Sequence, residues 1–553
     1  MRLLPTPRVP HLLSLLLTLF ATTTTTFVHA NASANDSGGE DSAAPVVPAF
    51  WSSSPELVAW LPTAHARFDA RESKTNGALP PDWSIVVLKP NMTDSQYRAH
   101  YNWLNKTLAT ALSAAPPNSQ ARLHCVFRTG YAGQFPPAVR AQITARADVK
   151  IVEDDMLFKV GAITTGANAV GGGGGVDWGL DRLDQVALPL DGRYNVRGNA
   201  GAGVDVYVLD SGVLVNHTEF TSSRARAGVS FASGGITDDV VGHGTHVAGT
   251  IAGQTVGVAP AASIIAVKVI DNDGSGPASN VIMGIEWVIS TVAKTNRPSV
   301  INMSIGGPRS TALDMAVLMA IRSGITVVAA AGNDARDACE SSPANLARVI
   351  TVAASSSTDS RATFSNSGAC VTLFAPGVGI RSSWPNGGTA LTAGITNAYN
   401  VLDGTSMACP HVAGAAAIVL SQTPLASPQD VLNALVAAAV PGAVTATKPG
   451  DPNLLLNVVK LLNPSTAAAP PPTGFKPAAG SAAAAGPPPT TASTTTASTM
   501  RGAAAAPGSV VAQDGSAASA QRDSSAVSRL PVVSWAVVLA AAALGIFVGV
   551  ESF

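Results

Sequence analysis

Charge is scarce in this chain and nearly balanced. Asp, Glu, Lys and Arg make up 12% of its 553 residues, 34 basic against 35 acidic, for a net charge of -1. Without an excess of either sign there is no electrostatic footprint for nucleic acid or an acidic polymer, and neither is expected as a partner. So low a charged fraction is unusual for a soluble domain, and part of it comes from tails of Ala, Pro, Thr, Ser and Gly. Cysteine is rarer still: Cys125, Cys339, Cys370 and Cys409 are the whole set. Four cysteines admit three full pairings, and the sequence alone does not choose among them. A metal-ligand cluster is missing too. His243 and His246 stand three residues apart, but no third ligand lies near them in sequence, which argues against a catalytic zinc.

The length leaves room for more than one domain. The N-terminus reads as a secretory signal over residues 1–30. Arg2 and Arg8 form a basic region, Leu12 to Phe20 a short apolar core too brief to span a bilayer, and Val28-His29-Ala30 a small-residue cleavage site. Secretion permits disulfides. It also makes Asn35, Asn91, Asn105 and Asn216, each in an Asn-X-Ser/Thr sequon, expected glycosylation sites. Asn302 fits the same pattern but lies in an apolar run and is expected to be buried and unmodified.

A polar leader fills residues 31–79. From 80 to 158 the pattern is β-α-β-β-α-β: Ser84 to Lys89 a strand, Thr93 to Leu112 a helix with apolar residues at helical spacing, Val126-Phe127 a strand, Pro137 to Ala145 a short helix, Val149 to Leu157 a final strand. That order defines a small α+β ferredoxin-like module. Residues 159–176 hold the glycine run Gly171 to Gly175 and read as a linker open to cleavage. From 177 to 463 strands and helices alternate, which predicts an α/β domain with a doubly wound, mostly parallel sheet. Residues 464–529, rich in Pro, Ala, Thr and Ser, bury too little apolar surface to fold and suit an O-glycosylated stalk. The segment 530–553 contains the apolar run Leu530 to Val550, long enough to span a bilayer. No basic tail follows it, Arg529 lies on the outer side, and the small residues Asp514-Gly515-Ser516 precede it across a polar spacer. A glycolipid (GPI) anchor is therefore expected, with a type I membrane helix as the alternative.

Three strings supply chemistry, in the order Asp, His, Ser: Val208-Leu209-Asp210-Ser211-Gly212, Gly242-His243-Gly244-Thr245-His246 and Gly404-Thr405-Ser406-Met407-Ala408. A serine hydroxyl is a poor nucleophile until a base lies within hydrogen-bond reach and that base is oriented. Ser406 is the expected nucleophile, His243 the general base and then acid, and Asp210 the carboxylate that fixes the imidazole tautomer. An unperturbed imidazole titrates near about 6.5, so activity should fall below that range. Asp210 ends a hydrophobic strand, where a parallel sheet holds its sites. Ser406 opens an Ala-rich helix, so its backbone N–H is a natural oxyanion donor. Asn333, after the apolar strand Val327 to Ala331, is the expected second donor through its side-chain amide. His246 is expected to pack structurally.

These strings resemble the three signature blocks of the subtilases, in the manner of the proteinase K branch. Trp178-Gly179-Leu180-Asp181-Arg182, Phe364-Ser365-Asn366 and Phe374-Ala375-Pro376-Gly377 extend the likeness over Asp177 to Leu462. The module before it resembles the inhibitor-type propeptide of the same family through Ile85-Val86-Val87-Leu88-Lys89 and Ile151-Val152-Glu153-Asp154-Asp155. The resemblance implies a secreted serine endopeptidase, expected as a monomer, acting on protein or peptide substrates. It also implies a zymogen that cuts off its own propeptide, its first inhibitor, somewhere between Phe158 and Asp177. It implies that substrate lies as an added strand between Gly274-Ser275-Gly276 and Ser304-Ile305-Gly306. Ala330, Ala331 and Gly332 would line a P1 pocket with small, uncharged walls suited to apolar or aromatic residues. Cys339 and Cys370 fall where a thermophilic branch has a disulfide; Cys409 would be a buried bystander and Cys125 would leave with the propeptide. No cofactor is expected for catalysis. A structural calcium ion is conceivable for the family, but Thr372 stands where proteinase K uses a carboxylate, and no metal ligand is assigned. A catalytically silent surface binding protein on the same fold is the competing expectation, and the intact catalytic set weighs against it.

Overall fold

The computed structural model describes residues 79, 82–114, 121–161, 163–164, 176–196, 199–232, 239–385 and 397–462. The expected signal, most of the leader, the glycine run, the stalk, the C-terminal apolar run and the Asn35 sequon lie outside the described residues. Among the described residues no helix is long and apolar enough to cross a membrane.

The N-terminal domain is β1 (Trp83–Leu88), α1 (Asp94–Ala114), β2 (Arg122–Phe127), β3 (Gly130–Gln134), α2 (Pro137–Thr144) and β4 (Val149–Asp154). Its strands pair antiparallel in the order β2-β3-β1-β4. One face of this sheet and the helices share a core of Val86, Leu88, Leu104, Tyr131, Phe135 and Ile143. The other face contributes Ile85, Val87 and Phe127 to a cluster that includes the second domain's helices. The strand alternation thus serves two cores at once, one its own and one shared.

Two short strands follow, β5 (Leu157–Val160) and β6 (Ile163–Thr164), then α3 (Trp178–Leu183). The second domain then runs β7 (Asp205–Asp210), β8 (Ala225–Ser230), α4 (His243–Ala252), β9 (Ser263–Lys268), β10 (Ser275–Pro277), α5 (Ala278–Thr295), β11 (Ser299–Met303), β12 (Ile305–Pro308) and α6 (Thr311–Arg322). It continues with β13 (Thr326–Ala330), β14 (Ser341–Ser342), β15 (Ile350–Ser355), β16 (Leu373–Pro376), β17 (Ile380–Trp384), β18 (Ala398–Asp403), α7 (Thr405–Gln422), α8 (Pro428–Ala438), β19 (Val440–Pro441) and β20 (Leu454–Leu455). The central sheet has nine strands in the order β19-β20-β16-β15-β13-β11-β7-β9-β8. Every neighbouring pair is parallel except β19 with β20. Along β7, Val206 and Val208 face the core under α4 and α7, while Tyr207 and Leu209 face the core under α5 and α6. Both faces are covered by helices, which is why these strands read as unbroken apolar runs.

A disulfide joins Cys339 to Cys370, 31 residues apart in sequence. Cys125 and Cys409 are buried free thiols, and burial pushes both pKa values up, away from the reactive range. Asn302 is fully buried, whereas Asn91 and Asn216 are exposed.

Candidate active site

Asp210 is the last residue of β7, at the carboxyl edge of the sheet. Its Oδ1 accepts the Ser211 backbone N–H at 2.7 Å and faces His243 Nδ1 at 2.8 Å. A carboxylate there makes Nδ1 the protonated nitrogen and leaves Nε2 as the base. His243 opens α4, and the helix start is fixed by a residue that was not singled out in the sequence. Asp239 accepts the N–H groups of Gly242 at 2.8 Å and Thr245 at 2.7 Å, so it caps the helix from outside. Ser211 Oγ donates to Asp239 at 2.8 Å and accepts from Gly244 N–H at 3.0 Å, tying the Asp210 loop to the same turn. Gly242 sits at φ +90°, and a methyl group there would strike the Trp384 ring at 2.5 Å, so only glycine fits. His246 points elsewhere: buried, it faces the Ile380 carbonyl at 3.0 Å, and burial pulls its pKa down to about 3.

Ser406 is the second residue of α7, where backbone N–H groups have no partner within the helix. Pro410 lies inside this helix and has no N–H to give the carbonyl four residues before it, that of Ser406. Ser304 supplies the missing donor: its Oγ bonds the Ser406 carbonyl at 2.9 Å. In return Ser406 Oγ donates to the Ser304 carbonyl at 2.9 Å. The expected Ser406–His243 hydrogen bond is therefore not made in this state, and His243 Nε2 has no hydrogen-bond partner among the described residues.

Asn333 lies just beyond β13. Its Oδ1 accepts from Thr405 N–H at 2.9 Å and Thr405 Oγ1 at 2.8 Å. Thr405 Oγ1 in turn accepts from Gly332 N–H at 3.1 Å. With its oxygen so engaged, the amide must present Nδ2 to the cleft, and Nδ2 donates to the carbonyl of Gly161. Thr405 was visible in the sequence as a neighbour of Ser406, but not as the residue that orients Asn333.

Gly274, Ser275 and Gly276 on one side and Ser304, Ile305 and Gly306 on the other do flank a strand, and that strand is the chain's own β5. Ser275 pairs with Lys159, Gly276 with Phe158 and Pro277 with Leu157. Ile305 pairs with Val160 and Gly306 with Lys159. Val160 N–H also donates to the Gly274 carbonyl at 3.1 Å. Ala330, Ala331 and Gly332 line the same cleft as Gly161, Asn333 and Ser406. Reading Val149 to Leu157 as one strand missed this: β4 ends at Asp154 and the chain crosses at Asp155-Met156 into the cleft.

The N-terminal domain also caps the second domain's helices. Pro277 precedes α5 and offers it no side-chain cap; Asp155 Oδ1 accepts the Ser279 N–H at 3.1 Å instead. Glu153 accepts the N–H groups of Thr311 at 3.0 Å and Ala312 at 3.2 Å and the Ser310 hydroxyl at 2.6 Å, at the start of α6. Both carboxylates meet the positive ends of helices. Glu286 of α5 reaches back and accepts the Arg128 N–H at 2.6 Å.

No group of three or more His, Cys, Asp or Glu placed to hold a metal occurs among the described residues. At position 372 the Thr hydroxyl is engaged with the backbone, accepting from Thr351 N–H at 3.1 Å and donating to the Val349 carbonyl at 3.5 Å. An uncharged hydroxyl so occupied does not fit the role of a hard anionic cation ligand.

A parallel α/β sheet whose carboxyl edge holds Asp and His in contact, with a helix-start serine and an amide aimed at a strand-bound carbonyl, defines a serine hydrolase that acts on extended peptide. Comparison with known proteins gives the family. Residues 201–461 match the Subtilase family of peptidases, and residues 85–160 match Peptidase inhibitor I9. The extracellular serine proteinase of Thermus sp. (strain Rt41A) is 46% identical over 327 residues, 59% of this chain and 75% of that protein. Subtilisin-like protease 2 of Pseudogymnoascus destructans is 45% identical over 377 residues, 68% of this chain and 88% of that one. The crystal structure of a cold adapted subtilisin-like serine proteinase aligns at 45% identity with a TM-score of 0.47, covering 51% of this chain and 98% of the other. The chain belongs to the subtilase family: it is a subtilisin-like serine endopeptidase preceded by an I9 propeptide domain.

Proposed function

We propose that this protein is a secreted zymogen tethered to the outer cell surface, with Asp210, His243 and Ser406 as its catalytic set. Rotation about the Cα–Cβ bond of Ser406 brings Oγ from the Ser304 carbonyl to His243 Nε2. Oγ then attacks the substrate carbonyl carbon and its proton passes to Nε2. The oxyanion is held by Asn333 Nδ2 and the Ser406 N–H. The leaving amine takes the proton from His243, and water, deprotonated by the same imidazole, releases the acyl group as a carboxylate. No cofactor enters these steps. Small walls at Ala330, Ala331 and Gly332 favour apolar or aromatic P1 residues. The observation that carries the reading is a peptide strand already seated between β10 and β12, with the carbonyl of the residue just after it, Gly161, on Asn333. A fluorophosphonate probe should label Ser406 in the matured enzyme and abolish its cleavage of unfolded protein. An active preparation whose label maps to another residue contradicts the assignment.

The propeptide contact carries a pH dependence. Burial pushes the carboxyls of Asp155 and Glu286 up to about 7. Both lie at the interface, so the complex retains protons that the separated parts lose. A carboxyl with a raised pKa favours the complex below its ordinary range and weakens it as pH rises to the raised value, above which the effect levels off. His124, pulled down to about 4 by burial, acts in the opposite sense and weakens the complex as pH falls below its ordinary value. Between pH 6 and 8 each carboxyl contributes about tenfold and His124 offsets about fourfold if the separated groups titrate normally. Once cleaved, the propeptide should dissociate on the order of tenfold more readily at pH 8 than at pH 6. Activity release after processing measures this, and Glu286→Gln should flatten the profile.

A further inference from the structure

We infer that the first bond this enzyme cuts is the one following Gly161 in its own chain, and that Phe158 sets the register of that cut. The inference rests on the catalytic roles proposed above and names their first substrate. One carbonyl in the described part of the segment between the two domains reaches the amide of Asn333, and it belongs to Gly161. A methyl group added to the Gly161 α-carbon would lie 3.4 Å from Ser406 Oγ and 2.8 Å from Asn333 Nδ2, so this residue sits against both the nucleophile and the oxyanion donor. The chain is held on both sides of this point. Upstream, β5 is the middle strand between β10 and β12. Downstream, Ile163 pairs with Asp403 and Thr164 with Leu402, on the strand that leads directly into Ser406. The carbonyl carbon of residue 161 is thereby placed between two anchored strands.

Glycine at this position presents no side chain to the Ala330–Gly332 pocket, so the pocket cannot choose the bond. The anchoring side chain lies three residues earlier. Phe158 is fully buried, and its ring lies flat on Gly307: a methyl group there would meet three ring carbons at 2.9 Å. Lys159, between Phe158 and Val160, is exposed, as strand alternation requires. A shift of one residue would put the lysine into the apolar pocket and the phenyl ring into water.

In the step itself Ser406 Oγ forms an ester with the Gly161 carbonyl carbon. Its proton moves through His243 to the amide nitrogen of residue 162, which leaves as the new amino terminus. Water then frees the Gly161 carboxylate and Ser406. Residue 177 is not the first end produced; any cut closer to it follows.

The test is intact mass and N-terminal sequencing of the earliest products of the full precursor, with Ser406→Ala as the control for host proteolysis. The expected pair is a fragment ending at Gly161 and one beginning at Ala162, both missing from the control. Phe158→Asp should slow this cut by about tenfold or more, because a charge must enter an apolar pocket, while Phe158→Tyr should keep it. A third variant does not depend on that pocket: three residues inserted within Gly171 to Gly175 should leave the cut after Gly161. A cut that moves with the insertion, a first new terminus elsewhere in an otherwise active enzyme, or unchanged processing of Phe158→Asp overturns the inference and leaves the catalytic roles standing. A wild-type precursor that is neither cut nor active overturns both.

Discussion

Replacing Ser406 by Ala, in protein whose propeptide is removed in trans, should lower peptide hydrolysis by about 10⁵–10⁶-fold. The size follows from how the parts depend on each other. Without the hydroxyl no acyl-enzyme forms, and the base has nothing to deprotonate except water. His243→Ala should cost about as much, since an unassisted serine attacks poorly. Asp210→Asn should cost less, because the imidazole keeps its place while losing its preferred tautomer. The double variant Ser406→Ala/His243→Ala should lose little beyond either single change, and kcat measured across the set checks that non-additivity. Losses that multiply would mean that the two side chains act separately. Ser406 Oγ donates to the Ser304 carbonyl rather than to His243, so the proposed pairing requires that bond to be given up.

Much of this site was readable in one dimension because its chemistry is local. Asp210 sits at the end of a short run rich in Val, and its length and β-branched content mark it as a buried strand. His243 and Ser406 each lie in one of the recognisable strings and come out in the first turns of α4 and α7. Five of the six pieces of the N-terminal domain were legible for the same reason, but β3 was not placed, because Gly130–Gln134 (Gly-Tyr-Ala-Gly-Gln) carries no apolar alternation. What escaped were relations set by distant partners. Val149 to Leu157 looks like one strand because nothing in its residues says that Asp154 is the last to pair with β1. The break is imposed by the second domain, whose two strand edges draw Leu157–Val160 away. Phe158 serves in the sequence only as a domain boundary, and it is buried against the second domain. Asp239 looks like a turn residue until the helix it caps is in place. Ser304 was read only as part of a strand edge, although Pro410, four residues after Ser406, announces a carbonyl in need of the donor that Ser304 supplies.

Asn333→Ala should lower kcat by about 10²–10³-fold, or about 2.7–4 kcal/mol, with KM little changed. The amide is useful because it is already oriented. Its oxygen is held by the Thr405 N–H and hydroxyl, so Nδ2 faces the carbonyl in the cleft without reorganisation. As charge develops on that oxygen the bond strengthens, whereas in the ground state it is one hydrogen bond among the several that hold the strand; hence the effect on kcat rather than KM. Thr405→Val removes one of the two bonds to the amide oxygen, holds the amide less firmly through the remaining backbone N–H, and should reproduce a smaller part of the loss in the same parameter. Asn333→Asp should be at least as damaging as Ala, because a carboxylate of nearly the same shape repels the oxyanion. Self-processing should slow in parallel in all three variants, since the bond cut first meets the same donor. Steady-state kinetics on a peptide substrate separate the cases. If Asn333→Ala raises KM and spares kcat, the amide serves only to grip the strand, and the developing charge must be met elsewhere.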